Sequence, residues 1–81
     1  MQVRFSETAD KQLDRLPHRL QVRIVEKVEL YSLQPAPLQF AERLTGSSEY
    51  RFRIGDYRVM FEVLHDTIWV IAIKRRDEAY R

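Results

Sequence analysis

The feature that most constrains this chain is a switch to period-two alternation at Tyr50, sustained through YRFRIGDYRVMFEVLHDTIWVIAIK and broken only by two short turn signals. Alternation of apolar and polar side chains places successive residues on opposite faces of a strand. The pattern predicts three strands, Tyr50 to Ile54, Tyr57 to Leu64 and Thr67 to Lys74, joined by the tight turns Gly55-Asp56 and His65-Asp66. A two-residue turn with glycine at its first central position is a hairpin signal. A three-strand meander has one apolar face to bury, so the rest of the chain must supply a cover.

The first 33 residues have the pattern to do so. Met1 to Phe5 alternates as a short strand, and Ser6 or Thr8 can cap a helix with apolar positions Ala9, Leu13 and Leu16. Pro17 suits the first position of a second helix, along which Leu20, Ile24, Val28 and Tyr31 recur at helical spacing to about Leu33. Pro35 and Pro37 then forbid helix continuation, leaving a linker inside one domain. Phe40 and Leu44 are candidate anchors before the turn cluster Thr45-Gly46-Ser47-Ser48. The expectation is a single domain over residues 1–81, of α+β class: a two-layer sandwich in the order β-α-α-β-β-β, with an antiparallel sheet and a helical hairpin on one face.

An 81-residue chain buries only about 60% of its unfolded surface, so a tightly binding protein partner is in keeping with its size. Cysteine is absent, which excludes disulfides, thiolate metal sites and a cysteine nucleophile. Neither a metal nor another cofactor is expected. No signal-peptide core and no apolar run of about 18 residues is present, so the reading is a cytoplasmic protein without a membrane partner. The net charge is only +2, and its placement matters more than its size. From Tyr50 onward there are seven cations, six of them arginines, against five acids. Arginine's planar fork suits phosphate better than a lysine point charge.

With two-residue turns, every cross-strand pairing in the meander is fixed. Tyr50, Phe52, Ile54, Tyr57, Val59, Phe61, Val63, Ile68, Val70 and Ala72 fall on the core face. The opposite face receives Arg51, Arg53, Arg58, Met60, Glu62, Leu64, Trp69, Ile71 and Ile73. In this register Arg53 lies across from Arg58, and Arg51 across from Met60. Like charges set opposite each other destabilise a sheet, so the pair marks a candidate anion site rather than a stability device. Solvated arginines whose stems cover Met60 or Ile73 are the plainer reading of any one of them. Trp69, Ile71 and Ile73 make the outer face too apolar to stay uncovered, which points to a partner protein or to the C-terminal segment folding back.

The runs YRFRIGDYRVMFEV and IWVIAIKRRDEAYR resemble the second half of the RelE/ParE toxin superfamily. TADKQLDRLPHRLQVRIVEKVELY is similar to that family's helical hairpin, and FAERLTGSSEYR to its approach to the next strand. The resemblance implies a toxin of a type II toxin–antitoxin pair, with a cognate antitoxin protein as partner and DNA engaged only indirectly through that complex. In the RelE-like branch it implies cleavage of messenger RNA on the ribosome. Arg51 and Arg53 match basic positions on one strand, Arg58 matches the arginine after the turn, and Tyr80 matches a tyrosine near the C-terminus. Many relatives carry Gly-His before the Arg-Arg run, whereas Ile73-Lys74 precedes Arg75-Arg76 here, which leaves Lys74 and Arg75 both open for the last basic position.

Metal-free RNA cleavage requires a base for the 2′-hydroxyl, cations for the phosphorane and an acid for the leaving oxygen. The expected roles are charge stabilisation by Arg53 and Arg58, positioning by Arg51, and leaving-group assistance by Lys74 or Arg75. Tyr80 would stack on a base, while Arg76 and Arg81 add substrate contacts, and Trp69, Ile71 and Ile73 form the partner surface. His18 and His65 read as a solvated helix residue and a turn residue. The base is unassigned, because Glu62 reads as an ion-pairing residue and Glu49 as a solvated one. The alternatives are a ParE-like inhibitor of DNA gyrase without nuclease activity, and an inactive antitoxin-binding module.

Overall fold

A computed structural model describes residues 1–77. It contains β1 (Gln2–Phe5), α1 (Glu7–Asp14), α2 (His18–Ser32), a 3-10 turn (Pro37–Phe40), β2 (Ala41–Arg43), β3 (Tyr50–Ile54), β4 (Tyr57–Leu64) and β5 (Thr67–Arg75). The five strands form one sheet in the order β1-β5-β4-β3-β2, and the helices cover one of its faces. The two-layer α+β architecture is as expected, with two additions. β1 joins β5 in parallel, which makes the sheet mixed, and β2 contributes a fifth strand paired antiparallel to β3.

Each helix starts for a local reason. Ser6 Oγ accepts a hydrogen bond from Ala9 N at 3.0 Å, and Glu7 and Asp10 place negative charge at the positive end of the α1 dipole. α2 follows Pro17, which occupies the capping position without a side-chain bond. Its far end is closed more firmly. The Ser32 hydroxyl donates to Glu29 O at 2.6 Å, and the Met1 ammonium donates to Ser32 O at 2.8 Å, putting a cation at the negative end of the helix.

Ala9, Ile24 and Val28 point from the helices into the core, where they meet Phe52, Val59, Phe61, Ile68 and Val70 from the sheet. Phe61 stacks on Phe52 at 4.4 Å and on Tyr50 at 5.5 Å, while Tyr31 packs on Phe52 at 4.8 Å. Phe40 anchors the 3-10 turn by stacking on Tyr31 at 4.8 Å. The β3–β4 turn has Gly55 at φ 59°, and the β4–β5 turn holds His65 and Asp66 at φ 50° and 56°. Both turns therefore use left-handed backbone, the second without a glycine.

The sheet departs from the sequence-derived register at one place. β4 and β5 pair regularly from Leu64↔Thr67 to Phe61↔Val70, after which Met60 pairs with Ala72 and Ile71 is left as a bulge residue. A bulge inserts one unpaired residue and reverses the facing of everything beyond it. Ala72, expected in the core, lies across from Met60 on the outer face. Ile73, expected on the outer partner surface, lies across from core residue Val59 and is 5% exposed. It belongs to the core beneath the helices and offers nothing to a partner.

The bulge is held by the other layer. Ser6 N donates to Val70 O at 2.9 Å, Ser6 Oγ donates to Ile71 O at 3.2 Å, and Gln12 Oε1 accepts from Ile73 N at 2.6 Å. Backbone groups that a regular ladder would pair are thus satisfied by the cap and second turn of α1.

Candidate functional site

Beyond the bulge, the outer face carries a row of cations across three adjacent strands. Arg53 of β3 pairs with Arg58 of β4, and Arg58 pairs with Lys74 of β5. The next row contains Arg51 across from Met60, with Ala72 beyond it and Glu42 of β2 on the other side. One row further, Arg4 of β1 stands beside Trp69, and Trp69 beside Glu62. Lys74 shares the face of Arg58 only because the bulge shifts the register by one. With regular pairing it would have pointed into the helices.

The members of the row differ in burial. Arg53 and Lys74 are exposed, whereas Arg58 is 3% exposed and is engaged in an interaction within the chain. A buried guanidinium is a fixed charge that water screens poorly, so its field is felt strongly at the surface directly above it. Two ion pairs between described residues lie at the margins of the patch. Arg53 Nη1 lies 4.0 Å from Glu42 Oε1, and Arg51 Nε lies 3.6 Å from Glu49 Oε2. Glu62 accepts from the Ser48 hydroxyl at 3.0 Å. Exposed pairs such as Arg53–Glu42 are worth about 0–1 kcal/mol, so they yield readily to a phosphate.

The other expected site residues are dispersed. Arg75 pairs with Tyr57, so it faces the helices rather than the Arg53–Arg58 row, and its Nε lies 3.7 Å from Asp77 Oδ1. Arg76 lies in the following turn, where its N–H donates to Asp56 O at 2.7 Å. Trp69 is on the outer face and 37% exposed, and Ile71 is half-buried at the bulge. Tyr80 and Arg81 lie outside the described residues. Arg4 was not singled out from the sequence, since its facing was legible but its pairing beside Trp69 was not. Among the described residues, no cluster of three or more His, Cys, Asp or Glu side chains could hold a metal ion.

A family model for the ParE toxin of the type II toxin–antitoxin system parDE matches residues 3–80. The chain belongs to the RelE/ParE toxin family. This RelE/ParE toxin is 38% identical over 76 residues to a Methanocaldococcus jannaschii protein named as a toxin, RelE1, covering 88% of the chain and 84% of the relative. Two solved complexes share its fold at close to full length. The toxin–antitoxin complex RelBE2 from Mycobacterium tuberculosis matches with a TM-score of 0.76 and 28% identity, over 93% of this chain and 96% of that one. The archaeal RelE–RelB complex from Pyrococcus horikoshii matches with a TM-score of 0.75 and 29% identity, over 93% of each chain. The toxin has no helix, among its described residues, that is long and apolar enough to cross a membrane.

Proposed function

We propose that this toxin is an endoribonuclease that cleaves messenger RNA on the ribosome without a metal. The observation that carries this reading is the Arg53–Arg58–Lys74 row, three cations directly abreast on the outer sheet face with Arg51 beside them. Such a row costs the sheet stability through like-charge repulsion, and a bound phosphate would relieve it. Exposed Arg53 and Lys74 meet the phosphate first, and buried Arg58 supplies fixed positive charge behind it.

In the reaction, the 2′-hydroxyl gives up its proton and its oxygen bonds to the adjacent phosphorus. The bond from phosphorus to the 5′-oxygen breaks, and that oxygen takes up a proton. The products are a 2′,3′-cyclic phosphate and a 5′-hydroxyl. Arg53 and Arg58 stabilise the phosphorane, Arg51 positions the strand, and Lys74, which shares their face where Arg75 does not, protonates the leaving oxygen. Tyr80 is assigned the stacking of an unpaired base, a contact worth about 1–3 kcal/mol. Glu62 and Glu49 are engaged with Ser48 and Arg51, so the base for the 2′-hydroxyl is assigned to the ribosome-bound complex.

A cognate antitoxin is proposed to cover the outer face. Trp69 and Leu64 are exposed there at 37% and 55%, and the similar solved proteins are bound to RelB antitoxins. The match to the ParE family model favours a second reading, inhibition of DNA gyrase without nuclease activity. Replacing Arg58 with alanine and assaying ribosome-bound mRNA decides whether that arginine acts. Cleavage should fall at least about a hundredfold, and undiminished cleavage would remove Arg58 from the site. Induction of the wild-type gene separates the two targets, because rapid translation arrest supports the nuclease and a DNA-damage response supports gyrase.

A further inference from the structure

The opposite side of the sheet carries a second basic feature that the outer-face row does not use. Where the α1–α2 junction meets the β3–β4 turn, two depressions adjoin. One, of about 420 Å³, is lined by Arg15, Tyr57, Lys74 and Arg75 among others. The second, of about 450 Å³, is lined by Arg19, Arg23, Gly55, Asp56, Tyr57 and Arg75 among others. Tyr57 and Arg75 are common to both, so they form one cleft with five cations along it, Asp56 as the acid among its described lining residues, and Asp77 paired with Arg75 at its edge.

Two of the charges in this cleft, Arg19 and Arg23, are not explained by stability. Arg19 lies in the first turn of α2, which contains no acid, so it opposes the helix dipole. Arg19 and Arg23 are four residues apart on one helix face, a repulsive spacing. No ion pair of Arg15, Arg19 or Arg23 is found among the described residues. Arg23 is nevertheless positioned. Its guanidinium packs over the β3–β4 turn, 3.5–3.6 Å from where a side chain on Gly55 would begin, which is ordinary van der Waals distance and places it directly on the turn.

Lys74 connects the cleft to the outer face. It pairs with Arg58 in the cationic row and also lines the first depression, while Arg75, next along the strand, faces the helices. Cations therefore continue around the end of the sheet from one face to the other. Tyr57 adds an aromatic surface midway along the cleft, and cations interleaved with an aromatic ring suit a nucleic acid strand better than an acidic peptide.

We propose that this helix-side cleft is a second RNA-binding track, reached past Lys74, that holds the substrate strand several nucleotides from the scissile phosphate. Arg75, Arg15, Arg19 and Arg23 contact successive backbone phosphates, and Tyr57 stacks on a base between them. The proposal rests on the reading of the outer face as an RNA site, and it adds a length requirement. A short oligonucleotide fills the outer row alone, whereas a longer one also enters the cleft.

The test is fluorescence anisotropy with 2′-O-methyl RNA, which cannot be cleaved, in lengths of about four and about twelve nucleotides over a range of salt concentrations. Each arginine that stops neutralising a phosphate removes about 0.7 from the slope of log affinity against log salt for single strands. Arg15→Gln/Arg19→Gln should therefore make the long-oligonucleotide slope shallower by about 1.4 and leave short-oligonucleotide binding unchanged. Arg53→Gln should weaken both. Far-ultraviolet circular dichroism and Tm control for folding, and Tm should change little, because removing Arg19 relieves repulsion at the start of α2 while removing Arg15 takes a favourable cation from the end of α1. An unchanged long-oligonucleotide slope in a folded double variant overturns the track, as does an equal loss for both lengths, which would reveal a diffuse field instead of contacts. Wild-type protein that binds both lengths but cuts no ribosome-bound mRNA defeats the nuclease reading and leaves the track standing. Failure to bind either length defeats both.

Discussion

Ser6 does two things with one hydroxyl, and the two can be separated by substitution. Its oxygen accepts from Ala9 N to cap α1, and its proton goes to Ile71 O at the β5 bulge. Ser6→Ala removes both. Loss of the cap costs about 1 kcal/mol, and loss of a part-buried hydrogen bond to the bulge carbonyl about another 1 kcal/mol, giving about 2 kcal/mol in all. For a domain of this size each kcal/mol lowers Tm by about 4–8 °C, so Ser6→Ala should melt about 8–16 °C below wild type. Ser6→Asp keeps the capping acceptor but has no proton for Ile71 O, so it should recover only part of that loss, while Ser6→Thr, which keeps both bonds, should recover most of it. Thermal melts followed by circular dichroism measure the series. If Ser6→Asp melts with wild type, the hydroxyl contributes nothing at the bulge, and Gln12 is left as the α1 side chain that holds it.

Three further outcomes follow from the core, the second turn and the cationic row. Phe61→Ala, at a fully buried position stacked on Phe52 and Tyr50, should cost about 3–5 kcal/mol in urea unfolding, enough to leave little folded protein. His65→Asn with Asp66→Gly should stabilise the fold by about 1 kcal/mol, because both native residues sit in left-handed backbone that asparagine and glycine adopt more readily; an unchanged or lower urea midpoint would refute this. Lys74→Gln should raise stability by about 0.2–1 kcal/mol by removing a like charge across from Arg58. The same variant should cleave ribosome-bound mRNA about a hundredfold more slowly, a trade of stability against activity that a purely structural lysine would not show.

The parts of the fold set by local periodicity were legible in the sequence. The helices appear over the apolar spacing that predicts them, and Arg53↔Arg58 and Arg51↔Met60 pair as the two-residue Gly55-Asp56 turn requires. What was not legible depends on contacts between distant segments. The bulge falls at Ile71, a strand-favouring residue with no glycine or proline to mark it, and its anchors are Ser6 and Gln12, 65 and 61 residues away along the chain. Its consequences were hidden with it: Ile73 turned inward, and Lys74 took the outer position that left Arg75 to the helix side. β2 escaped notice because three residues, Ala41–Arg43, are too few to show alternation. The basic cleft is hidden for a related reason, since nothing in the sequence sets Arg15, Arg19 and Arg23 beside the β3–β4 turn.

The parallel pairing of β1 with β5 also shapes how the molecule is made. β1 is at the edge of the described sheet, and its neighbour there is β5, the last of the described strands. During translation it emerges before the strand that accepts its backbone, and the sheet can close only after β5 is available. The cation row shares that dependence, since Lys74 takes its place only once β5 has docked. A copy that lacks β5 thus lacks both this seam and the full cation row, and the two form in the same step.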